Sequence, residues 1–256
     1  MVKKINSCKP IVKFFLLTFI LTLPSYLLVF LEARKIGFLP EKAFPFIALG
    51  TLAPIIAAMI LTFKESGGKG LKDLLKRSFD FKRITNKKWI LLTILLLPLI
   101  FFLAYGVLIF VGQSIPASQF SFATIPILFL MFFILALGEE LGWMGYAFES
   151  MEISLGTFKA TSLLGLIWVI WHIPFYIAMM GSLLPIALAV LCLFGIRFIL
   201  VWIYNNAGKS IFLAILFHTM YNVTSGVLPN FIIPLGFALT CIFILIAAVI
   251  VTFFGK

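Results

Sequence analysis

The sequence predicts an all-α protein, a polytopic transmembrane helical bundle of about eight spans forming a single integral membrane domain over residues 1–256, with both termini cytoplasmic. Three observations predict it. The chain is 63% hydrophobic and 11% charged, with a mean hydropathy of +1.19; so few charges cannot cover a water-facing surface, which excludes a soluble core. The apolar residues arrive in runs of about twenty, the length that crosses bilayer hydrocarbon at about 1.5 Å of rise per residue. Lys and Arg gather at the ends of those runs, the asymmetry that decides which loops stay in the cytoplasm.

Lys3, Lys4, Lys9 and Lys13 precede the first run, Phe14 to Phe30. A basic stretch before an apolar one is also how a secretory signal begins, but no small-x-small cleavage site follows and the run is long enough to span. It reads as a retained helix. A short segment with Arg34, Lys35 and Lys42 against Glu32 and Glu41 leads to the second run, Phe44 to Phe63, whose Pro54 neighbouring helices can accommodate.

Residues 64–88 hold nine of the twenty basic residues: Lys64, Lys69, Lys72, Lys76, Arg77, Lys82, Arg83, Lys87 and Lys88. This concentration makes the loop cytoplasmic. Within it Leu71, Leu74, Leu75 and Phe79 recur at helical spacing opposite Lys72, Lys76 and Arg77, the pattern of an amphipathic helix lying on anionic lipid headgroups. The plainer reading is a loop that only sets topology.

The third span runs from Trp89 to Val111, and an uncharged turn, Gly112 to Ser121, leads to the fourth, from Phe122 through Glu139 and Glu140. The fifth covers Phe158 to Met180, the sixth Leu183 to Tyr204, the seventh Ser210 to Ser225 and the eighth Phe231 to Phe254. Threading these with the basic loop inside leaves the uncharged turns outside and puts Lys159, Lys209 and Lys256 inside, so charge pattern and even count agree. The net charge of +11 could suggest nucleic acid, but its placement at span ends points to lipid headgroups, and no nucleic-acid partner is expected. Cys8, Cys192 and Cys241 are odd in number and lack a CxxC spacing, so they predict neither a disulfide framework nor a thiolate metal site.

Leu135 to Phe148, L-A-L-G-E-E-L-G-W-M-G-Y-A-F, puts two adjacent carboxylates inside an apolar run. An ionised acid at bilayer depth costs several kcal/mol on most scales, so Glu139 and Glu140 mark a functional site. The chain has two histidines, His172 and His218, both in apolar helical runs. Residues four apart share a helix face, which pairs Trp168 with His172 and His218 with Asn222. Adjacent residues diverge by about 100°, so Glu139 and Glu140 cannot both aim at one substrate atom, and the two divide the work. A desolvated carboxylate suits a general base, and with an imidazole it can hold and deprotonate a water. A second imidazole and a carboxamide can donate to the oxyanion formed when that water attacks a carbonyl. Taken singly, each has a structural alternative: a histidine or asparagine bonding between helices, tryptophans anchored at the interface or walling a cavity, and Gly138, Gly142 and Gly145 letting helices approach.

E-E-L-G-W-M-G-Y, W-V-I-W-H-I-P-F-Y and S-I-F-L-A-I-L-F-H-T-M-Y-N, in that order and each in its own span, resemble the three motifs of the CPBP family. These are the CAAX-protease and bacteriocin-processing proteins, intramembrane glutamate proteases similar to the Ras-converting CAAX endopeptidase. The resemblance covers Leu135 to Asn222 and implies that Glu139 is the catalytic carboxylate, that His172 helps it activate water, that His218 and Asn222 form the oxyanion side, and that Glu140 supports them; Trp168, on the face of His172, is read as a further supporting residue from its spacing. The chain departs from the family at Met144, where an Arg usually stands four residues after the second Glu. Glu140 therefore needs another counterion: Arg197, inside the sixth span, is one candidate, and the alternative is that Arg197 snorkels to the headgroups.

The resemblance further implies a membrane-tethered or lipidated peptide substrate, of prenylated CAAX or bacteriocin type, and an active site facing the cytoplasm, in the plasma membrane if the host is prokaryotic. A water polarised by Glu and His needs no ion, so no cofactor is required; if a divalent metal were held, Glu139, His172 and His218 would be its ligands. Two rivals stand beside hydrolysis: a proton-coupled carrier using the same groups as a relay, and an inactive relative acting in immunity. Depth is the test of a single site. By rise alone His218 lies about 12 Å in from Ser210 and His172 about 20 Å in from Phe158, so the fifth helix must start late or tilt.

Overall fold

The computed structural model describes residues 9–35, 40–116 and 122–255; the expectations on Lys3, Lys4, Cys8, Lys256 and the end of the turn at 112–121 lie outside them. The elements are helical throughout the described residues: α1 Lys9–Ala33, α2 Pro40–Gly50, α3 Ala53–Lys76, α4 Lys88–Phe110, α5 Ile125–Gly142, α6 Glu149–Leu155, α7 Thr157–Met180, α8 Leu183–Asn206, α9 Ile211–Val227 and α10 Pro234–Phe253. Seven helical stretches among these residues are long and apolar enough to cross a membrane, and α9, with 17 residues, is a shorter apolar helix. These match the eight runs read from the sequence.

Two boundaries differ. The second run does not stop at Phe63, because α3 continues to Lys76 and takes in most of the amphipathic stretch; the break falls at Gly67, whose φ of 64° is the left-handed backbone that glycine adopts without strain. The fourth run does not end at the Glu pair either. A π-helical turn, Trp143–Phe148, joins α5 to α6, so helical structure continues to Leu155.

The helices group into two compact units, each discontinuous in sequence: residues 1–80 with 137–181, and residues 81–136 with 182–256. In the first, α1 packs on α2, α3 and α7, and the π turn packs on α3, α6 and α7. The buried face of α1 is Ile11, Phe14, Thr18, Thr22, Ser25, Val29 and Glu32, while Val12, Leu16, Ile20, Leu23, Leu27 and Leu31 are exposed on the other side. Leucine side chains gain nothing by leaving lipid, so the face that packs on protein is the one carrying hydroxyls and small residues.

In the second unit α10 packs on α8 and α4, and α9 packs on α4 and α8. Leu128 on the first half of α5 packs with Val223 and Val227 of α9, ringed by Ile125, Phe129, Met131 and Phe132. Cys192 and Cys241 are both buried free thiols, which agrees with their reading as apolar fillers.

Candidate active site

The carboxylates stand at the end of α5, where Gly138 and Gly142 share one helix face. A Cβ on Gly138 would lie 3.0 Å from the Thr51 carbonyl oxygen, and one on Gly142 would lie 2.6 Å from both Cβ and O of Pro54. Only glycine lets the end of α5 come this close to the start of α3, so these two serve helix approach. Glu139 is 4% exposed and Glu140 0%, with carboxylate oxygens within 4.8 Å of one another. Two full negative charges that close in a low dielectric repel strongly, so the pair requires a shared proton or cationic company.

Trp168 organises what lies around Glu139. Its indole Nε1 donates to Glu139 Oε2 at 2.8 Å, and its backbone carbonyl lies 2.8 Å from His172 Nδ1, one turn further along α7. A carbonyl only accepts, so His172 Nδ1 is the donor of this bond and Nε2 is the ring nitrogen left to face other groups. The Trp168 ring also meets the imidazole edge to face at 4.8 Å between centroids. Acid and imidazole thus both bond to one residue, and α7 starts at Thr157, not late as the depth estimate required.

Trp143, Trp168 and Trp171 are fully buried, so all three line the interior and none anchors at an interface. Met144 is likewise fully buried. A guanidinium does reach this turn, but from the residue that follows α3: Arg77 Nη1 donates to Glu149 Oε2 at 3.1 Å and to the Gly145 carbonyl at 3.4 Å.

The remaining predicted residues belong to the second unit. Arg197 on α8 is 0% exposed, so its guanidinium does not snorkel to the headgroups. On α9, His218 is 3% exposed and Asn222, one turn on, is half-buried. Ser210 caps this helix by accepting from the Leu213 amide.

Sequence reading missed the contribution of α1. Trp171 Nε1 donates to Thr22 Oγ1 at 2.8 Å, and Tyr26 Oη donates to the Trp171 carbonyl at 2.6 Å. The signal was there in the regular recurrence of Thr18, Thr22, Ser25 and Glu32 along an otherwise apolar helix.

Fold and comparisons together define the class. The family described as Type II CAAX prenyl endopeptidase Rce1-like matches residues 121–224, and the chain belongs to this Rce1-like CAAX prenyl endopeptidase family of multi-pass integral membrane peptidases. CAAX prenyl protease 2 of Methanococcus maripaludis is 35% identical over 193 residues, 70% of this chain and 70% of that protein. The resemblance read from the three motifs is thereby confirmed.

Proposed function

We propose that the protein is an intramembrane endopeptidase that hydrolyses a peptide bond of a prenylated, CAAX-type polypeptide with a water activated by Glu139 and His172. The observation that carries this reading is the double role of Trp168, whose indole donates to the Glu139 carboxylate while its carbonyl accepts from His172 Nδ1. Glu139 takes a proton from water as the water oxygen attacks the substrate carbonyl; the tetrahedral oxyanion accepts hydrogen bonds from His218 and Asn222; on collapse the C–N bond breaks and Glu139 returns the proton to the leaving amine. Glu140 supports this arrangement, with the buried Arg197 as the positive charge that position 144 does not supply. The order of the three motifs and the family membership support the assignment of His218 and Asn222, while Arg197 is supported by its burial within an apolar span.

No metal takes part in this scheme. A divalent ion, if held, would engage Glu139, His172 and His218, and turnover that survives exhaustive chelation argues for the metal-free reaction. In this reading the site faces the cytoplasm, the side to which the basic loop is assigned, and Lys72 and Lys76, beside Leu71 and Leu75 on an open groove of that loop, suit anionic headgroups.

The test is cleavage by the purified protein of prenylated and bare CAAX peptides and of a bacteriocin-type leader peptide, read by mass spectrometry, with Glu139→Gln alongside. The expected result is cleavage of the prenylated peptide and a loss of at least about a hundredfold in Glu139→Gln. Equal turnover by Glu139→Gln excludes it as the base. Preference for the leader peptide moves the substrate class, and binding without cleavage by the wild type identifies an inactive relative.

A further inference from the structure

The three motifs leave unexplained why α1, which lies outside the residues matched by the family, makes directional bonds to α7 at the residue preceding His172. Thr22 and Tyr26 are four residues apart on one face of α1. Thr22 Oγ1 accepts from the Trp171 indole at 2.8 Å and itself donates to the Thr18 carbonyl at 2.8 Å, while Tyr26 Oη donates to the Trp171 carbonyl at 2.6 Å and its ring packs edge-on against Phe175 at 4.8 Å. Trp171 is therefore gripped at both its side chain and its backbone. Its ring in turn meets the His172 imidazole edge to face at 4.7 Å between centroids.

The local backbone makes such a grip consequential. Pro174 lies inside α7 and has no N–H to give to the Ile170 carbonyl, so the helix loses one of its own bonds beside His172. A segment less braced by its own ladder takes its rotation and axial position from its neighbours. Two bonds from α1 to a single residue specify both.

We infer that Thr22 and Tyr26 of α1 are positioning residues for hydrolysis, holding Trp171 from both ends and so fixing the imidazole of His172 opposite Glu139. The inference deepens the hydrolase reading and rests on it for its kinetic consequence, but the placement of His172 can be measured without turnover. The chain contains two histidines, so ¹⁵N-histidine-labelled protein in bilayers yields two imidazole spectra, assigned by His172→Gln.

Tyr26→Phe and Thr22→Val are expected to shift or broaden the His172 ring signals, whereas Thr22→Ser, which keeps the accepting oxygen, leaves them in place. Thr93→Val removes another buried hydroxyl, one that bonds only within α4 to the Trp89 carbonyl, and serves as the control. In turnover, Tyr26→Phe and Thr22→Val should each lower kcat about fivefold with KM held within about twofold, the loss of one hydrogen bond's worth of positioning. In a His172→Ala background the Tyr26→Phe loss should vanish, because a residue acting through His172 has nothing left to position.

Unchanged His172 signals in both variants overturn the inference. A Tyr26→Phe loss that multiplies with His172→Ala overturns it as well, since that is the behaviour of a residue acting independently. A wild type that cleaves none of the peptides defeats the hydrolase reading alone, and the imidazole spectra still decide the positioning role.

Discussion

The two units solve the same problem, holding helices together in lipid, by different means. In the first, indoles and hydroxyls aim bonds across helices: Trp168 to Glu139, Trp171 to Thr22, Tyr26 to the Trp171 carbonyl. In the second, α8 meets α10 where a Cβ on Gly195 would come within 3.1 Å of Ile244 Cγ2, and polar bonding gathers at buried Asn230, which donates to the Phe101 carbonyl and to Thr240 Oγ1. Close approach and interhelical hydrogen bonds are both available where no hydrophobic force drives association. The difference teaches what each is for. Packing of aliphatic groups fixes distance between helices and tolerates small slides, whereas a bond to one oxygen of a carboxylate fixes where its lone pairs point.

The largest expected effect breaks that distinction or sustains it. Trp168→Phe keeps the aromatic bulk of a fully buried side chain but removes the N–H that Glu139 accepts, and should lower kcat about a hundredfold through misplacement of the carboxylate. The matched change in the second unit is Trp202→Phe, which removes an indole bond to the Gly255 carbonyl, and there activity should stay within about twofold. Steady-state kinetics on both purified variants checks the pair; similar losses would mean that the indole bonds of the first unit have no special role.

The glycines give the next effect in size. Gly142→Ala drives a methyl to 2.6 Å from the Pro54 backbone, which cannot rotate away, and should destabilise the protein by about 2 kcal/mol while displacing the Glu pair. Gly195→Ala meets two side-chain methyls, Ile244 Cγ2 at 3.1 Å and Leu245 Cδ2 at 3.2 Å, with the Ile244 carbonyl oxygen in ordinary contact at 3.7 Å; a shift of a few tenths of an ångström relieves these, and the cost should be under about 1 kcal/mol. Reversible unfolding in mixed micelles ranks them, and a Gly195→Ala cost equal to that of Gly142→Ala would contradict the assignment of rigid against yielding neighbours.

Much of this was legible in the sequence because lipid makes charges informative. Glu139, Glu140, His172, His218 and Arg197 stood out as rare polar groups in apolar runs, and all but the half-buried His172 prove to be buried residues. Span limits were readable to within a few residues wherever a run ended in a polar turn, as at Met180 or Asn206. Two things were not readable. The π turn after the Glu pair depends on a helix continuing past a charged pair that looked like an ending, and no residue type encodes that choice. The service of α1 was hidden because its polar residues are threonines, serine and tyrosine, which look unremarkable one at a time, and because the partner, Trp171, is about 150 residues away along the chain.

Asn230→Ala sharpens the comparison from the other side. It removes two donated bonds at a fully buried position and should cost about 1 to 2 kcal/mol of stability, toward the upper end of what interhelical bonds contribute in membranes. Turnover per folded molecule should be unaltered. An activity loss without a stability loss would show that the second unit, too, uses directed bonds to serve the chemistry.

The smallest effect belongs to the bond between Arg77 and Glu149, whose side chains keep 15% and 21% exposure. A partly solvated pair contributes under about 1 kcal/mol, and salt weakens it further. Arg77→Gln should therefore lower stability slightly at low ionic strength and be nearly silent at high salt, with the Glu149→Gln single variant and the double variant completing a cycle. Because the same guanidinium also reaches the Gly145 carbonyl, Arg77→Gln should cost somewhat more than Glu149→Gln. If the two single changes prove equal, the Gly145 carbonyl adds nothing to the pair; if they prove salt-independent, the pair behaves as a buried one, and the first unit would then rely on directed electrostatics outside its carboxylate site as well as within it.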